Sequence, residues 1–173
     1  MTTDLSLRLA ALEERVAALE ERRGDPHASS GGDPRGPDPD TFWALTSLRA
    51  RLPEQGGVLF TGSVRLPTGE HVEWQQSAET ESLLEQDWST AAPALDALSH
   101  PVRLLVLHAV LGGTRSTAEL AALEPLGTAG QLHHHLRPLV AAGWLRTTGR
   151  GRYEVPATRV VALLAVLTAV GPA

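Results

Sequence analysis

Residues 99–155 read SHPVRLLVLHAVLGGTRSTAELAALEPLGTAGQLHHHLRPLVAAGWLRTTGRGRYEV. Their punctuation decides the fold. Ser99 is placed to cap a helix with Pro101 in its first turn, where a missing N–H costs nothing. That helix shows Val102, Leu105, Val106 and Ala109 on one face and ends at Gly112-Gly113. Ser116-Thr117-Ala118-Glu119 spells a capping box that starts a short helix through Leu123. Glu124-Pro125-Leu126-Gly127 is a turn. Thr128-Ala129-Gly130-Gln131 is a second capping box, and the helix it opens runs to Gly143. Two short helices joined by a tight Gly-containing turn form a helix-turn-helix pattern.

The helix 129–142 sorts its residues by face. Leu132, Leu136, Leu139 and Val140 make an inward stripe. Thr128, Gln131, His133, His134 and Arg137 point out, near a helix N-terminus suited to phosphates and base edges in a major groove. Gly130 lets the backbone approach closely. Trp144–Thr147 and Arg152–Val155 then alternate as strands around Gly149-Arg150-Gly151. The hairpin 146–155 carries Arg146, Arg150 and Arg152 as a basic wing. Pro138 removes one helical hydrogen bond and predicts a kink near His134.

The three consecutive histidines do not form a metal site. Successive helical residues point about 100° apart and cannot converge on one ion. His133 and His134 read as DNA-facing donors, and His135 as half-buried and structural. Protonation of this run in mildly acidic solution adds positive charge and strengthens DNA binding.

Upstream, Ala94–Leu98 (ALDAL) is a further short helix. The opening His-Pro-x-Arg, the His-Leu-x-x-Leu-x-x-x-Gly helix and the Gly-Arg wing, in this order, resemble the winged helix-turn-helix of the arsenic-repressor (ArsR) type of bacterial regulator over about residues 93–170. The resemblance implies a homodimeric, sequence-specific DNA-binding transcription factor, commonly one released by a metal or a small effector. Its DNA-contact positions fall on Thr128, Gln131, His133, His134 and Arg137, with Arg150 and Arg152 in the wing. Its dimerisation through terminal helices falls on the apolar closing helix, at Val160, Leu163, Leu164 and Leu167; packing into the chain's own core is the other reading of that helix. Metal-sensing members carry ligands on the first helix of the motif or on the closing helix. Here AELAALEPLG holds no Cys or His, and the closing helix holds no ligand, so no metal and no cofactor is expected.

The rest of the chain frames this segment. There are 173 residues, 15 Arg, no Lys, 20 acidic residues and no Cys. The absence of Cys excludes disulfides, zinc ribbons and thiol nucleophiles. The net charge of −5 hides a split: residues 1–95 carry a balance of −8, and residues 96–173 a balance of +3, with five of the seven His. A basic rear behind an acidic front suggests that only the rear meets a polyanion. The N-terminus lacks the apolar core of a signal peptide. The longest apolar run, 160–170, is short of the roughly 20 residues a membrane span needs. These features predict a cytoplasmic protein that does not touch the membrane. The Arg, Ala, Gly and Pro bias suggests a GC-rich bacterial genome.

Residues 1–23 carry Leu5, Leu9, Leu12, Val16 and Leu19 at alternating spacings of 4 and 3, a heptad seam. Position g holds Arg8, Arg15 and Arg22, and position e holds Glu13 and Glu20. In a parallel pair these meet as Arg8–Glu13 and Arg15–Glu20, whereas an antiparallel pair sets Arg against Arg. The charges specify a parallel coiled coil. Docking on the chain's own domain is the alternative use of the stripe. Residues 24–40, with four Pro, four Gly and four Asp, read as a flexible linker.

Residues 41–92 read as helix, hairpin, helix, a segment for dimerisation or sensing. Asp40 can cap a helix through TFWALTSLRARL. Val58, Phe60, Val64 and Leu66 alternate with polar residues, Pro67-Thr68-Gly69 turns, and Val72 and Trp74 alternate in return. Residues 79–88 are a short helix. Two roles stand open for the hairpin: a scaffold over a core edge, or one wall of a pocket for an unidentified small-molecule effector lined by Phe42, Trp43, Phe60, Trp74 and Trp88.

The overall expectation is a mainly α, α+β chain: a coiled-coil helix (1–23), a linker (24–40), a helix-hairpin-helix segment (41–92) and a winged helix-turn-helix domain with a closing dimerisation helix (93–173). Its partners are double-stranded DNA and a second copy of itself. A protein-interaction module that uses the same winged fold and coiled coil without DNA is the runner-up. No nucleophile elbow, P-loop, dinucleotide fingerprint or His-Glu-x-x-His is present. Glu70, His71 and Glu73 imitate a catalytic cluster only on a face expected to be solvated. An enzyme is not expected.

Overall fold

The computed structural model describes residues 41–123 and 129–171. The heptad seam, the linker, the turn 124–127 and the Thr128 cap lie outside the described residues. Contacts divide the chain into Met1–Thr46 and Ser47–Ala173. The hairpin of residues 57–79 thus shares one compact unit with the helices that follow it.

Among the described residues the fold is mixed α+β, with seven α-helices and two two-stranded antiparallel hairpins. Helix α1 spans Trp43–Arg49, shorter than its sequence pattern. Strands β1 (Gly57–Arg65) and β2 (His71–Glu79) pair with Val64 opposite Val72 and Gly62 opposite Trp74. Their turn closes with a Leu66 N–H donating to the Glu70 carbonyl at 2.8 Å, and Gly69 takes the positive φ that it needs, 86°.

Helix α2 is Thr80–Glu85, shorter than the ten residues expected. Asp87 stops it by accepting from the Ser89 N–H at 2.9 Å and opening a 3₁₀ turn, Trp88–Ala91. Helix α3 is Ala92–Leu98, and α4 is Pro101–Leu111. The cap of α4 is not Ser99. His100 holds that place, its Nδ1 accepting from the Val102 N–H at 3.1 Å, while Ser99 closes α3 by bonding back to Asp96. The buried stripe of α4 also shifts. Val106, Leu107 and Val110 are fully buried, and Val102, Leu105 and Ala109 are half-buried. A helix apolar on nearly every side does not reveal by periodicity which face goes inward.

Helix α5 (Thr117–Ala121) carries the expected capping box, with Ser116 and Glu119 bonding reciprocally. Helix α6 (Ala129–Ala141) passes through Pro138 as one α-helix. Leu132, Leu136 and Leu139 are buried on it, whereas Val140, placed inward by the sequence pattern, is 37% exposed. Strands β3 (Arg146–Gly149) and β4 (Arg152–Glu154) form the second hairpin, with a bulge between Thr147 and Gly149. Trp144 pins its base by donating from Nε1 to the Ala94 carbonyl at 2.8 Å.

Helix α7 (Ala157–Val170) lies across the first hairpin. Gly62 is the crossing point: a Cβ added there would lie 2.7 Å from Val161 Cγ1. Val160 and Leu163 of α7 sit in the same core as Leu107, Leu120 and Leu136. Burying each such side chain contributes about 1.5–3 kcal/mol. These two residues, assigned by the sequence to a dimer contact, are therefore spent on the chain's own core. Leu164 is half-buried against it, and of the four only Leu167 stays exposed.

Candidate nucleic-acid interface

The second hairpin is tied to the start of α5 by backbone bonds. The Thr117 N–H donates to the Gly151 carbonyl at 2.8 Å, and the Tyr153 N–H donates to the Arg115 carbonyl at 2.8 Å. Ser116 and Arg152 form an antiparallel bridge. Residues 115–117 thus extend the hairpin by a short third strand, so α5 and the hairpin hold a fixed geometry. Gly151, at φ 67°, lets its turn sit close to Thr117.

Helix α6 is held from below by its three buried leucines. That orientation leaves Gly130, Gln131, His133, His134 and Arg137 exposed. An open groove of about 670 Å³ runs beside them, lined among others by His133, His134, Arg137, Thr147 and Tyr153. Thr147 and Tyr153 were not singled out by the sequence. They enter because β3 and β4 pair with Thr147 opposite Tyr153 next to the helix.

Arg150 and Arg152 are exposed in the wing. Arg146 is exposed as well, but its guanidinium is paired with Glu154 directly across the hairpin. A charge partnered in this way adds less to an anion-binding surface than a free one. The Glu119 carboxyl lies below its ordinary pKa, first through the Ser116 hydroxyl, then the Ser116 N–H, with Arg152 contributing. It therefore stays ionised beside the wing and serves the cap.

His135 is half-buried, as its place next to the leucine stripe implied. Its ring lies 4.7 Å from the ring of His100 and 5.5 Å from that of His134. Burial, then the nearby His100, His134 and Arg103, push its pKa down. Among the described residues there is no cluster of three or more His, Cys, Asp or Glu arranged to hold a metal ion.

The five aromatic residues proposed as an effector pocket do not enclose one. Phe42 and Trp43 are exposed, and Trp88 is 68% exposed, its indole donating to the Leu83 carbonyl at 2.8 Å. Only Phe60 and Trp74 are half-buried, on one face of the first hairpin. Early termination of α2 turns Trp88 away from the strands' packed face. Leu5, Leu9, Leu12, Val16, Leu19 and Thr128 lie outside the described residues.

Among the described residues no single helix is long and apolar enough to cross a membrane. No family model matches the chain, and no curated protein matches it. Among solved structures, the chain is similar to M. tuberculosis Rv0081, with 27% identity over 54% of this chain and 90% of that one, at a TM-score of 0.39.

Proposed function

We propose that the chain is a homodimeric, sequence-specific DNA-binding transcriptional regulator of the ArsR type, with a winged helix-turn-helix made of α4, α5, α6 and the β3–β4 hairpin. One observation carries this reading. Helix α6 buries Leu132, Leu136 and Leu139 and so turns Gln131, His133, His134 and Arg137 outward, beside a wing that exposes Arg150 and Arg152. In the proposed complex α6 enters a major groove, and the wing arginines hold the adjacent phosphates. Two copies would place their helices about 34–36 Å apart on a roughly palindromic site. The heptad seam at Leu5–Leu19 and the exposed Leu167 would join the copies. The protein is neither metal-sensing nor catalytic in this reading.

The test is capture of fragmented bacterial DNA by the purified protein at about 0.15 M salt, near physiological ionic strength, followed by sequencing. An enriched inverted repeat supports the regulator. On that repeat, Arg150→Ala with Arg152→Ala weakens binding and makes the salt dependence shallower by about two, one for each lost phosphate contact. Unchanged DNA binding in the double variant would remove the wing from the interface. A protein-interaction module is the second reading, favoured by the exposure of Leu84, Trp88 and Leu95. It predicts that no sequence is enriched.

A further inference from the structure

A second cavity, about 340 Å³, lies where the β1–β2 turn, the base of the wing, α4 and α7 meet. One wall is apolar and well buried, built from Leu66, Val110, Val155 and Val160. The other wall is charged: Glu70 and Arg115 on one side, Arg146 and Glu154 on the other. The four charges pair off as Arg115–Glu70 and Arg146–Glu154.

The two members of the first pair differ in how they are held. Arg115 is fixed by its backbone, its carbonyl accepting from Tyr153 and the next residue opening the capping box of α5. Its side chain is 25% exposed, and its Nε–H is buried without a hydrogen-bond partner. Glu70 ends a surface turn, is 49% exposed, and is otherwise held only by the Thr68 hydroxyl at 2.9 Å. A guanidinium offers a fork of donors that matches two carboxylate oxygens. Here one arm is occupied and Nε is idle.

We infer that this cavity binds a small monocarboxylate with an apolar tail, which displaces Glu70 from Arg115 and lays its tail on the Leu66, Val110 and Val160 wall. Exchange of one carboxylate for another leaves the buried charges paired, whereas an added cation or a second anion would bring an uncompensated charge inside. Released Glu70 regains water at the surface. The ligand's second oxygen takes the Nε–H that Glu70 leaves unused. The volume is that of roughly ten waters, enough for a short aliphatic or single-ring acid. Glu70 lies below its ordinary pKa, chiefly through the Arg115 hydrogen bond, so the exchange is between two anions at neutral pH.

The experiment titrates hexanoate and benzoate into the full chain, with hexanamide and hexylamine as controls and no DNA present. The readout is the arginine Nε–H region of ¹H–¹⁵N spectra. The acids are expected to move the Arg115 resonance with saturation in the millimolar range, and the amide and amine are not. Glu70→Gln removes the competitor from an exposed turn and is expected to tighten hexanoate binding by about two- to fivefold, the range of an exposed ion pair. Arg115→Gln is expected to abolish it. Equal binding of hexanamide, no shift with either acid, or an unchanged or weaker affinity in Glu70→Gln would each overturn the inference. None of these outcomes depends on whether the chain binds DNA.

Discussion

His100 caps α4 with Nδ1, an arrangement available only while that nitrogen is unprotonated. Loss of the acceptor in His100→Ala is expected to lower stability by about 1 kcal/mol, and His100→Asn, a good capping residue, is expected to restore most of it. Urea midpoints of the three proteins check this. The neighbouring His135 gives a pH dependence with a definite sign. Its folded pKa lies below its ordinary value, through burial first and then His100, His134 and Arg103. The unfolded chain therefore binds this proton more readily than the folded one. Stability is full above the ordinary histidine range, about pH 6.5, falls as pH drops through it, and levels off below the depressed folded value. The wild type should lose stability between about pH 7.5 and 5.5. His135→Gln should lose less, and an identical slope in both proteins would remove His135 as the cause.

At the scale of elements, the first hairpin acts as a strut for α7. Gly62 permits the contact, because any Cβ there would meet Val161 at 2.7 Å. Gly62→Ala is expected to destabilise by about 1–3 kcal/mol, the range for overpacking a closed contact. Adding Val161→Ala should recover part of the loss, measurable as a non-additive double-mutant cycle. The sequence showed two apolar-alternating strands and a closing apolar helix. It did not show that they pack on each other, because neither pattern names its partner. The wing was more legible. Gly151 and the flanking alternation marked its turn, and the structure adds only that residues 115–117 pair beside it. That pairing involves backbone atoms, which leave no trace in side-chain pattern.

For the whole molecule, dimerisation rests on the e and g charges of the heptad seam. Arg8→Glu with Arg15→Glu is expected to weaken the dimer, and adding Glu13→Arg with Glu20→Arg to restore it. Sedimentation equilibrium of the three proteins decides; no change in any of them would end the parallel-zipper reading. What the sequence determined by itself are the features written in local chemistry: the capping box at Ser116 and Glu119, the glycine stops at Gly113 and Gly143, and the two hairpins. The three leucines that turn α6 belong with them, because helix period alone puts them on one face. Tertiary structure decided the rest. It gave the α4 cap to His100 rather than Ser99, and withdrew Val160 and Leu163 from a dimer surface into the core. It paired Arg146 with Glu154 and brought Glu70 to Arg115 across 45 positions of chain. Each of these depends on which surfaces meet. An apolar or charged residue states what kind of neighbour it needs, and only packing of the whole chain supplies which one.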